Sequence, residues 1–318
     1  MITLEFVYWL MGLMVAGVAI VNLRDRSTPK RYNNAAFWGL YAISFLVGSR
    51  LPNFLNGLIV IGMVLVMAIG KLGGPPAEHT TRAERAASAA RWGNVLFIPA
   101  LAIPAVTLLG NVVFKKWQIG GVPFVDPKQV TLIALGIATL VALVLGIVLL
   151  RPPISAPVVE SRRLLDAVSW AAVLPQTLAA LGAMFALAGV GPVIAQILQR
   201  WIPLDTPLVV VATYTVGMAL FTAIMGNAFA AFPVMTTAIG LPLIVGKFGG
   251  NVVAMAAVGM LSGFCGTLTT PMAANFNIVP AALLELPDNN AVIKTQIPTA
   301  ILLLIANTAI MYFGVFRK

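Results

Sequence analysis

Charge is scarce in this sequence: only 9% of its 318 residues are Asp, Glu, Lys or Arg. A soluble domain carries about 25%, so a water-facing surface over the whole chain is excluded. Cysteine occurs once, as Cys265, and histidine once, as His79. A single cysteine excludes an internal disulfide framework and a metal site built from cysteines. A lone histidine in a polar loop reads as a solvated side chain rather than a ligand. The ten acidic residues avoid the middle of every apolar run; Asp166 lies near the start of one, and Glu285 and Asp288 sit in "LLELPDNN" towards a loop. An intramembrane enzyme would need an ionisable cluster or an activated nucleophile within its spans. Ser262 and Cys265 are close in sequence, but no histidine on a span is available to activate either. Proton-coupled carriers usually need an intramembrane ionisable relay. Coupling to a cation such as Na+ through Asn, Thr and backbone oxygens is therefore the expectation, with no cofactor and no protein-bound metal.

What the sequence does contain is apolar length. Runs near 20 residues, enough to cross about 30 Å of hydrocarbon, recur at Leu4 to Leu23, Ala35 to Ser49, Phe54 to Ile69 and Gln129 to Leu150. Others are Leu164 to Ala188, Leu208 to Ile224, Asn251 to Leu268 and Gln296 to Phe316, with Gly93 to Phe114 a ninth. The expected fold is all-α: a polytopic helical membrane protein of about nine spans, some broken or re-entrant, in a single membrane domain over residues 1–318. Residues 93–114, 226–245 and 271–287 fit either a span or a re-entrant hairpin. The N-terminus reads as a first span, since it lacks a basic leader and carries Glu5. The net charge of +10 sits in loops, where it signals topology rather than nucleic-acid binding. Arg24, Arg26, Lys30 and Arg31, then Lys71, Arg82, Arg85 and Arg91, then Arg151, Arg162 and Arg163, and finally Arg317 and Lys318 favour an outside N-terminus and a cytoplasmic C-terminus. Arg50, Lys115, Lys116, Lys128, Arg200 and Lys294 conflict but are the minority.

Two shorter helices are expected off the spans. In "TTRAERAASAAR", Thr81 and Glu84 form a capping-box pattern; in "PVIAQILQRW", Ile194, Ile197, Leu198 and Trp201 share a face, as in a helix lying in the membrane interface. "GNVLFIPALAIP" in the first half and "GNAFAAFPVMTTAIGLP" in the second hint at an inverted repeat, with halves 1–150 and 164–318 joined by a cytoplasmic loop 151–163.

The polar residues that matter gather at interruptions. "SGFCGTLTTPMAANFNIVP", from Ser262 to Pro280, concentrates Gly263, Gly266, Thr267, Thr269, Thr270, Pro271, Asn275 and Asn277. Pro271 removes a backbone donor and disfavours helix at Thr270, and Gly263 and Gly266 are expected to loosen the turn before it. Irregular backbone at membrane depth is tolerated only when buried in protein or lining a wet cavity. It frees amides for an anion and carbonyls for a cation. "TAIMGNAFAAFPVMTTAIGLP" is a second interruption, with Gly226, Asn227, Thr236 and Thr237, and Asn94 is its counterpart in the first half. The candidate substrate-binding residues are thus Asn94, Gly226, Asn227, Thr236, Thr237, Gly266, Thr267, Thr269, Thr270, Asn275 and Asn277. The alternative is that small residues here only permit close helix packing.

"MGNAFAAFPVMTTAIGLP" and "GMLSGFCGTLTTPMAANFNIVPAALLE", together with the "NLRDRSTPKRY" loop, resemble a bacterial membrane family. Its members, once known only as a domain of unknown function, are described as one subunit of a two-component 5-oxoproline (pyroglutamate) transporter. The resemblance extends over essentially the whole chain and also looks towards the ion-transporter superfamily. It implies a small anionic substrate, a second and smaller membrane subunit as partner, a place in the bacterial cytoplasmic membrane, and alternating access at broken helices. A structural or assembly subunit whose partner carries the pathway is the other reading.

Overall fold

The computed structural model describes residues 1–70, 72–73, 81–284 and 286–316. Lys71, His79, Glu285, Arg317 and Lys318 lie outside the described residues. Among the described residues the regular structure is helical apart from a two-stranded hairpin, and the chain divides into two compact units, Met1–Ser169 and Trp170–Lys318. Among the described residues, seven helices are long and apolar enough to cross a membrane, and an eighth crossing arises if one bent pair is a single span. The protein is a multi-pass membrane protein.

In the first unit, α1 (Leu4–Arg24) packs along α2 (Arg31–Val47), and α2 along α3 (Asn53–Gly70). Thr81 and Glu84 form the expected capping box at the start of α4 (Arg82–Trp92), which a short 3-10 turn joins to α5 (Phe97–Val113). The hairpin β1 (Gln118–Ile119) and β2 (Val122–Pro123) turns through Gly120 and Gly121, both at positive φ. Next comes α6 (Val130–Leu150), whose 21 residues reach about 31 Å at 1.5 Å each. It packs against α5 and α1.

The segment after α6 departs from the sequence reading. Residues expected as a linking loop and the start of a span form α7 (Ala156–Val168), so Leu164 to Ala188 is not one continuous helix. The cause is polar. Arg162 donates through its Nε to Asn22 Oδ1 at 3.1 Å and to Asp166 at 3.3 Å, and through NH2 to Asp25 at 2.6 Å. Asp166 also accepts from Trp38 at 2.7 Å and from Asn22 at 3.2 Å. These partners pin α7 to the C-terminal end of α1 and to the middle of α2, where a buried guanidinium is tolerable only if hydrogen-bonded and paired. Bonds from Ser27 and Arg162 hold the Asp25 carboxyl well below the usual range. Burial pushes the Asp166 carboxyl up, against the pull of Trp38, Asn22 and Arg162.

The second unit begins with α8 (Leu174–Leu187), started by Pro175, and α9 (Val190–Trp201), bent 70° from it at Gly189. In α9, Ile194 and Leu198 pack on the core while Ile197 and Trp201 stay exposed. Then follow α10 (Pro207–Met225), α11 (Ala228–Met235), a π-helix over Thr236–Lys247, α12 (Val252–Thr267), α13 (Ala274–Leu283) and α14 (Ala291–Val315). Tyr214, Met218, Met235, Met255 and Met311 centre the core between α10, α11, α12 and α14. At 16 and 10 residues, α12 and α13 are shorter than a full crossing requires. Ala228–Lys247 and Ala83–Val113 are long enough to span.

Candidate functional site

Two interrupted helices of the second unit meet at one crevice. The first break is Gly226–Asn227. α10 stops there because Gly226 turns left-handed at φ 77°, its amide donating back to the Thr222 carbonyl at 2.7 Å. A Cβ at Gly226 would lie 2.6 Å from the Met272 carbonyl oxygen, so both the turn and the close approach of the chain require glycine. Asn227 is extended, and its Oδ1 accepts from the Phe229 amide at 2.7 Å, capping α11.

The second break lies between α12 and α13. The chain leaves α12 at Thr267, passes Pro271, and re-enters a helix at Ala274. Fully buried Asn277 donates to the Thr267 carbonyl at 2.8 Å and to the Thr270 carbonyl at 2.7 Å. One side chain thereby satisfies two carbonyls that the break sets free. Thr270 Oγ1 accepts from the Met272 amide at 3.2 Å.

Between the breaks lies a crevice of about 210 Å³, lined by Gly226, Asn227, Ala228 and Phe229 on one side and Thr267 and Met272 to Phe276 on the other. Leu174, Pro175, Leu178 and Ala179 of α8 add an apolar wall, with Phe264 beside them. Among the described residues, none that lines it is charged. The first turns of α11 and α13 both border it; Asn227 takes up the Phe229 amide and the Ala273 carbonyl the Phe276 amide, and the other first-turn amides carry the partial positive charge of a helix N-terminus. Helix N-termini of this kind can hold a compact anion without a cationic side chain.

The crevice therefore gathers Gly226, Asn227, Thr267 and Asn275 from the candidates. Thr270 and Asn277 stand just behind it as braces of the break. Gly266 and Thr269 border a separate apolar hollow of about 190 Å³ with Cys265, Ala300 and Leu304. Thr236 bonds Tyr214 Oη at 3.1 Å, and Thr237 donates to the Pro233 carbonyl at 2.8 Å. Asn94 belongs to the first unit, exposed on the turn between α4 and α5, where Gly93 has φ 48°. The expectation that Gly263 and Gly266 loosen their helix is corrected: α12 runs unbroken through both. Their bare faces admit α10, with a Gly263 Cβ falling 3.0 Å from Met218 and a Gly266 Cβ striking the Ala219 backbone. Sequence reasoning missed the wall of α8, which carries no polar signal, and the aromatic rim of Phe229, Phe264 and Phe276.

No curated protein and no solved structure matches the chain. A family model described as "Protein of unknown function (DUF979)" matches residues 5–316, both breaks and the crevice between them included. The chain belongs to the DUF979 family.

Proposed function

We propose that the protein is a subunit of a secondary transporter for a small organic anion, 5-oxoproline being the favoured substrate. The observation that carries this reading is the convergence of two half-helix N-termini on one uncharged crevice. Its volume, about 210 Å³, is below the ~300–1,000 Å³ of pockets for drug-sized ligands, which suits a compact molecule. 5-Oxoproline has one carboxylate, one lactam N–H and one lactam carbonyl. The carboxylate would lie against the first-turn amides of α11 and α13, and the Asn227 and Asn275 amides, which both donate and accept, would read the lactam. Access would alternate as the broken segments, the repeat halves, or this chain and a smaller membrane subunit rock about the site. The setting is the bacterial cytoplasmic membrane, with the N-terminus outside, the C-terminus cytoplasmic and Na+ as coupling ion.

Counterflow in proteoliposomes containing both subunits tests this, with pyroglutamate set against other small carboxylates, with and without sodium. Asn227→Asp keeps an acceptor for the Phe229 amide but adds a negative charge at the crevice, and Asn275→Ala removes an amide. Both should abolish counterflow while insertion and pairing persist. Normal counterflow in both variants overturns this placement of the substrate. Substrate binding by the partner alone would favour the assembly-subunit reading.

A further inference from the structure

Buried hydroxyls on the helices of the second unit follow one habit. Thr215, Ser262 and Thr267, each almost wholly shielded, donate to a carbonyl three or four residues back, at 3.0, 2.8 and 2.6 Å. Thr222, with no exposed surface, breaks the habit: its Oγ1 has no hydrogen-bond partner in the protein. Asn277 is equally buried, and its Oδ1 is also without a partner. Its orientation is not interchangeable, because reversing the amide would set an oxygen against the Thr267 and Thr270 carbonyls. Each orphaned group costs about 1–3 kcal/mol. A third such atom, Gln296 Oε1, belongs to a half-buried residue on α14.

The two residues that carry these buried orphans both touch the C-terminal part of α12, Thr222 through its Oγ1 and Asn277 through its Nδ2. A Cβ on Gly263 would fall 3.3 Å from Thr222 Oγ1, and Asn277 grips the Thr267 carbonyl one turn further on. Here α10 and α12 both end, and helix C-termini carry partial negative charge. An amide oxygen can only accept, so a positively charged occupant suits it better than another acceptor. Hard cations take carbonyl and hydroxyl oxygens as ligands. Both orphaned oxygens are neutral, which suits a monovalent charge better than a divalent one.

We propose that Thr222 Oγ1 and Asn277 Oδ1 are ligands of a small monovalent cation, sodium in kind, at the C-terminal ends of α10 and α12. The same two breaks then offer carbonyl ends to a cation and amide ends to an anion, so that each ion favours binding of the other. The coupling role rests on the carrier reading; occupancy of the cation site does not.

The experiment uses the purified full-length protein without organic anion. Thermal unfolding is recorded in sodium, potassium and choline chloride at equal ionic strength, alongside saturable binding of radioactive sodium. Wild type should show a sodium-specific stabilisation that saturates. Thr222→Val should match or exceed wild-type stability in choline, since no protein hydrogen bond is lost. It should lose the sodium response and bind sodium at least about tenfold more weakly. Thr222→Ser, which keeps the hydroxyl, should retain both responses. Asn227→Asp should keep its sodium response while losing counterflow, which separates failure of the anion reading from failure of this one. Identical unfolding in all three salts, absence of saturable sodium binding by wild type, or a full sodium response in Thr222→Val overturns the proposal. If the valine variant does not fold, the two wild-type measurements still decide.

Discussion

Gly226 answers two demands that no other residue meets together. Its φ of 77° suits glycine, and the Met272 backbone occupies the space a Cβ would take. Gly226→Ala should destabilise the protein by about 2 kcal/mol or more, because left-handed strain and a backbone collision add. Thermal unfolding in detergent would show it. Gly57, exposed within α3 and with open space around its Cβ position, is the comparison: Gly57→Ala should be neutral or stabilising by up to about 1 kcal/mol. Residue type alone could not separate Asn275 from Asn277. Two positions apart on a helix they point in different directions, so one lines the crevice and the other braces the break.

The latch on α7 is the clearest case of an element placed by side chains rather than hydropathy. Arg162→Ala would leave Asp25 and Asp166 without their guanidinium, a loss of about 3–5 kcal/mol. Arg162→Lys should recover only part of it, since an ammonium cannot reproduce the planar fork. Unfolding of both variants beside wild type gives the comparison. Acid dependence has a definite sign. Asp25 is held below the usual carboxylate range, so its contribution is present above that range and is lost as pH falls below it. Asp166, pushed up by burial, binds its proton more tightly folded than unfolded, so its contribution is present at low pH and fades as pH rises through its folded value. Asp25→Asn should therefore flatten the acid limb of stability from about pH 5 downwards, read by thermal melts. None of this was legible in the sequence, because Arg162 and Asp25 are 137 residues apart. The breaks were legible, since Gly226, Asn227 and Pro271 act within a turn or two of themselves.

For the molecule entire, hydropathy identified a multi-pass helical membrane protein, but it joined α7 to α8 where Pro175 and the latch part them. It also counted Asn251 to Leu268 as a full crossing, and the helix found there, α12, has 16 residues. Reporter fusions test the orientation: a tag at the N-terminus should be reachable from outside intact cells, and a fluorescent protein at the C-terminus should mature in the cytoplasm. The single cysteine, buried at the lip of the hollow beside the second break, is a native probe of movement there. Labelling of Cys265 by a small maleimide should change when pyroglutamate is added, without any engineered site.

The π-wound stretch from Thr236 to Lys247 continues directly from α11. Its far end is tethered, with Lys247 donating to the Leu204 carbonyl at 3.0 Å. A helix wound this loosely holds more residues in each unit of its length than an α-helix. Drawing it tighter would lengthen the rod and twist its near end, where Asn227 sits, against a fixed anchor. Slack would then be held inside a rod instead of in a hinge loop, and rewinding it would swivel the crevice's rim without opening a loop, Pro233 and Pro242 being the places where the rod lacks a main-chain donor.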